Sequence, residues 1–153
     1  MRTNKRKLLS LLLSLVMLLS LLPTTALAEE THPDGVNITI GSDSINIDSG
    51  KRLTENVAKA KNVNDYSIGD TYVARYDGST GTLYLNGYDG GKISATNGSL
   101  SIVLEGENTV TVNGSAGTNF YGIEGNGVDL TIQGSGSLTV NATGTGNGDC
   151  YGI

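Results

Sequence analysis

The side chains able to do chemistry are few and unevenly placed. The chain has one histidine, His32, one cysteine, Cys150, and no tryptophan, against seven tyrosines and fifteen carboxylates. A single histidine beside a processing signal rules out histidine triads and histidine metal sites. A single cysteine allows no intramolecular disulfide and no thiolate metal site, so it reads as a small packed residue. The tyrosines are left as the aromatic faces on which sugar rings bind, through apolar C–H contact with polar groups at the edge. Tyr84, Tyr88, Tyr121 and Tyr151 are the candidates. Tyr84 takes an outward strand slot that Thr111 and Thr139 fill in similar segments, and Tyr88 lies in a corner of variable length. Tyr121 and Tyr151 recur in Tyr-Gly-Ile units, the arrangement of a stacked ladder.

The carboxylates invite two further chemistries. Calcium takes about 6–8 oxygen ligands, and Asp89, Glu105, Glu107 and Asp129, with corner carbonyls, would supply some of them. Neither an EF-hand loop nor a Gly-Gly-x-Gly-x-Asp repeat is present. Glycan cleavage needs paired carboxylates or a base beside bound calcium. The repeat region has no adjacent acidic pair, and Lys92 is its only basic residue from Tyr84 onward. Glu105 and Glu107 share a face of an extended segment and read as charges that solvate a glycine corner. A non-catalytic chain is expected.

These residues sit on short strands. Thr82-Leu83-Tyr84-Leu85-Asn86-Gly87, Thr109-Val110-Thr111-Val112-Asn113-Gly114 and Ser137-Leu138-Thr139-Val140-Asn141-Ala142 each alternate aliphatic and polar residues before an Asn-led corner. Leu100, Ile102 and Leu104 ending at Gly106 match Val128, Leu130 and Ile132 ending at Gly134. Eighteen of the 22 glycines fall from Gly78 onward, at the intervals where the backbone turns. A unit of about 28 residues that cannot bury its own apolar face predicts a solenoid. The expected fold is therefore all-β: a right-handed parallel β-helix with an irregular N-terminal cap containing a short helix. Asn-Gly pairs at Asn86, Asn97, Asn113, Asn126 and Asn147 are also hairpin signals, so an antiparallel β-sandwich is the alternative. Val36, Ile38 and Ile40 with Ile45 and Ile47 predict a hairpin or first coil. The helix is placed within Lys51 to Lys61, where Leu53, Val57 and Ala58 fall near one face.

The chain divides into residues 1–28, a leader, 29–35, a flexible mature terminus, 36–77, the capping strands and helix, and 78–153, the repeats. Arg2, Lys5, Arg6 and Lys7 precede the apolar run Leu8 to Leu22, and Ala26-Leu27-Ala28 gives a small-x-small cleavage pattern, which together define a secretory signal. The run is shorter than the roughly 20 residues of a membrane span. Past the leader, six basic residues face fifteen acidic ones, a net charge of −9. Such a surface repels phosphate backbones, so nucleic acid is not an expected partner. The repeat pattern is open at Ile153, which reads as the N-terminal portion of a longer domain.

The run Tyr76 to Gly91, the Leu100-Ser101-Ile102 strand, Leu130 to Val140 and the Tyr-Gly-Ile units resemble the secreted carbohydrate-binding β-helix domain of clostridial and gut Firmicutes proteins. The resemblance covers roughly residues 36 to 153. It implies a secreted or cell-surface module that binds polysaccharide, cellulose or an acidic, pectin-like glycan, without cleaving it, and calcium as an accompanying ion. The residues themselves leave two other functions open. Outward Thr and Ser rows suit a structural or adhesive surface solenoid, and a β-helix lyase or hydrolase comes third.

Overall fold

The computed structural model describes residues 29–56, 63–64, 71–115, 117–145 and 147–153; among these are strands and turns and no helix. The expected leader and residues 57–61 of the expected helix lie outside the described residues. In chain order the strands are β1 (Gly35–Ile40), β2 (Asp43–Asp48), β3 (Lys51–Leu53), β4 (Val63–Asn64), β5 (Ala74–Asp77), β6 (Thr82–Asn86), β7 (Asp89–Gly90), β8 (Ile93–Glu105), β9 (Glu107–Gly114), β10 (Phe120–Tyr121), β11 (Ile123–Gly134), β12 (Ser137–Gly144) and β13 (Cys150–Tyr151). The largest sheet runs β2-β1-β8-β6-β5-β3-β4, with β11 also paired to β8. Two small sheets complete the set, β12-β9-β7 and β10-β13.

Strand β8 organises the large sheet. Along one edge it carries β11 in a parallel ladder from Ile123↔Ile93 to Gly134↔Leu104. Along the other it meets β1 antiparallel at Ile93 and Ser94, then β6 parallel from Ser101 to Glu105. Between these two, the segment before β1 fills the gap: Ser99 N donates to Thr31 O at 2.9 Å. The inward residues Val36, Ile38, Tyr76, Leu83, Leu85, Ile102 and Leu104 are buried and make one core. Each such aliphatic side chain contributes about 1.5–3 kcal/mol by leaving water.

This architecture replaces the expected parallel β-helix. The large sheet is mixed and nearly closed on itself, like a barrel, because β1 with β2, β1 with β8, β3 with β4 and β5, and β5 with β6 all pair antiparallel. The three six-residue copies do not stack as three coils. Thr82–Asn86 pairs with Ser101–Glu105, not with the copy at Thr109. The two later copies do lie side by side, but Ser137 meets Glu107 and Thr139 meets Thr109, an offset of 30 residues. Side-chain alternation has period two, so a two-residue shift keeps the same face inward and the pattern cannot see it. The cap helix is corrected as well. Lys51–Leu53 forms β3, pairing Leu53 with Ala74, because a core-facing Leu53 and a sheet edge outweigh helix propensity.

Candidate functional site

The outer face of the large sheet brings together Tyr84 and Glu105 of the expected set with Arg75 and Tyr72, which the sequence left unmarked. Register aligns Arg52, Arg75, Tyr84, Val103 and Gln133 in one row across β3, β5, β6, β8 and β11. On β3, β5, β6 and β8 the adjoining Leu53, Ala74, Tyr76, Leu83, Leu85, Ile102 and Leu104 are buried, so this row faces out. The Arg75 guanidinium carbon stands 3.9 Å from the Tyr84 ring centroid and 5.4 Å from that of Tyr72. A cation over an aromatic face is attracted by the ring quadrupole. Tyr72 donates its hydroxyl to Glu105 Oε2 at 2.9 Å, which ties β8 to the same cluster. The result is a stacked group of ring, guanidinium, phenol and carboxylate, in which Arg75 covers one face of the Tyr84 ring.

The other candidates are placed elsewhere. Tyr88 is fully buried, and its hydroxyl donates to the carbonyls of Gly91 at 3.0 Å and Thr39 at 3.3 Å. It is a core residue with a satisfied polar tip. Tyr121 stacks on Tyr151, with ring centroids 5.0 Å apart and planes inclined by 11°, away from the Tyr84 row. Asp89, Glu105, Glu107 and Asp129 are all exposed and stand on four different strands, β7, β8, β9 and β11. Among the described residues no group of three or more His, Cys, Asp or Glu is placed to hold a metal ion. The oxygen cage that calcium needs is therefore not assembled from these carboxylates.

A second feature lies on the same outer face. An open cleft of about 510 Å³ is bounded by Glu30, His32, Ser99, Ser101, Asp129 and Thr131, with Ser79, Thr80 and Leu100 beneath. Glu30 and His32 form one wall. Two glycines make room for this segment: a Cβ at Gly81 would run into His32, and one at Gly98 into the Thr31 carbonyl. Ser99 Oγ donates to Glu30 Oε1 at 2.8 Å and lies 3.1 Å from His32 Nδ1. Because the serine proton is directed to Glu30, His32 Nδ1 is the donor toward Ser99. That acid–serine–histidine order differs from the acid–histidine–serine relay that activates a nucleophile.

Burial of phenols sets the alkaline behaviour. The Tyr72 hydroxyl is pushed up to about 12 by burial, with its bond to Glu105 adding to the effect. Tyr76, which donates to Pro33 O, is also raised to about 12, by burial and then by Asp34 and Asp77. Tyr88 is raised further still, again chiefly by burial. For a phenol with a raised folded value, the stabilisation is complete below the ordinary value of 10.0 and is lost as pH climbs through about 12. Stability is thus expected to fall between those limits, with phenolate absorbance and loss of circular dichroism rising together. Independent ionisation of all tyrosines near 10, with the fold intact, would contradict this packing.

No family model, curated protein or solved structure matches this chain. Among the described residues, no helix is long and apolar enough to cross a membrane.

Proposed function

We propose that the chain is a secreted, non-catalytic polysaccharide-binding module whose ligand lies on the outer face of the large sheet. The observation that carries this reading is the Tyr84–Arg75–Tyr72–Glu105 group. Tyr84 supplies an aromatic surface for the apolar face of a sugar ring, while Arg75 and Glu105 supply a donor and an acceptor for hydroxyls at its edge. The resemblance to secreted carbohydrate-binding domains supports the same reading, and the net charge of −9 beyond residue 28 favours a neutral glycan such as cellulose over an acidic one.

The test is retention of the chain on insoluble cellulose and on pectin. Tyr84→Ala is expected to weaken retention by about tenfold or more, since a stacked ring contributes on the order of 1.4 kcal/mol. A Tyr88→Phe variant, altered only in the core, is expected to bind like the parent. A chelator is expected to leave retention unchanged, because the four candidate carboxylates do not converge. A folded chain that is retained on neither glycan would end the proposal.

A further inference from the structure

We infer that the ligand is a linear glycan lying along β8, held at both ends of one continuous strip, so that short oligosaccharides reach only half of the site. The inference rests on the polysaccharide reading above and adds the shape and polarity of what is bound.

The strip follows from register. On β8 the outward residues in order are Ser99, Ser101, Val103 and Glu105, alternating with inward Leu100, Ile102 and Leu104. On β11 their partners are Asp129, Thr131 and Gln133. The Tyr84 group occupies the Val103–Glu105 end, and the cleft walled by Glu30 and His32 occupies the Ser99–Ser101 end. Four residues of extended strand separate Ser99 from Val103, about 13 Å at roughly 3.3 Å per residue. The interval is polar and continuous, for Gln133 Nε2 donates to Ser101 Oγ at 3.1 Å. The aromatic end suits the apolar face of one sugar ring. The cleft, rich in hydroxyls and poor in apolar wall, suits the equatorial hydroxyls of another. Both ends are built on β8, so a chain that reaches both gains the second contact at little extra ordering cost.

Isothermal titration with a series from disaccharide to hexasaccharide tests this, using β-1,4-linked glucose oligomers and, separately, galacturonate oligomers. Affinity for the retained series is expected to rise about tenfold or more with length and then level off. Two variants address the cleft: His32→Ala, which removes a wall group, and Thr131→Arg, which fills the space from an exposed strand position without touching the core. Each is expected to reduce hexasaccharide affinity to the disaccharide level and to leave disaccharide binding unchanged. Circular dichroism of both variants guards against misfolding, and Thr131→Arg stands alone if His32→Ala does not fold. Equal affinity for short and long oligomers, or parent-like hexasaccharide binding by folded Thr131→Arg, overturns the strip and leaves the binding module standing. Absence of binding by every oligomer and by both insoluble glycans overturns the module and the strip together.

Discussion

Replacing Asn108 by alanine is expected to destabilise the chain by about 3 kcal/mol, the sum expected when a buried polar side chain that serves several backbone groups is removed. Asn108 is 1% exposed, within β9. Its Oδ1 accepts the Tyr88 N–H at 3.0 Å, and its Nδ2 donates to the carbonyls of Glu105 at 3.0 Å and Ser137 at 3.1 Å. One amide thus joins the turn before β7, the end of β8 and the start of β12. Alanine leaves the buried Tyr88 N–H without this acceptor and takes a donor from two part-buried carbonyls, which costs more than the bonds themselves are worth. Asn108→Asp keeps an acceptor for Tyr88 but loses both donor bonds and places a charge among apolar neighbours. It is expected to be at least as damaging. Urea unfolding of the two variants measures the effect, and a change under about 0.5 kcal/mol, the range of ordinary surface substitutions, would show that Asn108 is not a bridge.

Gly98→Val is expected to cost a similar amount, about 3 kcal/mol, by two routes that meet at one atom. Gly98 has φ +81°, where a β-branched residue is strained, and a Cβ there would drive into the Thr31 carbonyl. That carbonyl accepts the Ser99 N–H, so the segment from Thr31 to Asp34 would be lifted from β8. The expected signature is specific: a lower thermal midpoint together with faster proteolytic trimming of residues 29–34. A midpoint shift with no change in trimming would place the damage elsewhere. Asn97, at φ 65°, is the one non-glycine in the left-handed region among the described residues. The two successive left-handed residues bend β8 without reversing it, so this Asn-Gly pair does not make the hairpin that its type suggests.

Strand content and inward faces were legible in the chain. Leu83 with Leu85, Leu100 with Ile102 and Leu104, and Val36 with Ile38 and Ile40 alternate in the sequence and are buried in the core. Direction and register of pairing were not legible. A strand's alternation reports which face is apolar and says nothing of which neighbour it meets, so Thr82–Asn86 read as a coil equivalent to Thr109–Gly114. The Tyr-Gly-Ile units carried better information, since Tyr121 meets Tyr151 and Ile93 meets Ile123 at the 30-residue offset. Asn108 escaped notice because asparagine in this chain signals corners, and only burial distinguishes a bridging amide from a turn. Tyr84 was legible as an outward ring. Its companions Arg75 and Tyr72 were not, because β5 reaches it by an antiparallel pairing that repeats cannot reveal. His32 read as part of a flexible tail, yet its ring lies against Ser99, 67 residues away.

That distance carries a kinetic consequence. The first described residues, from Glu30 through β1, close against β8, whose residues lie some 55 to 70 positions later in the chain. Contacts of such separation must meet the entropy of loop closure before they are rewarded, and chains dominated by them fold in milliseconds to seconds instead of microseconds. During synthesis β1 can pair with β2 at once, but Glu30, His32 and the other edge of β1 have no β8 to meet until much later. The edge of β1 that faces β8 therefore stays open until residues 93–105 have been made.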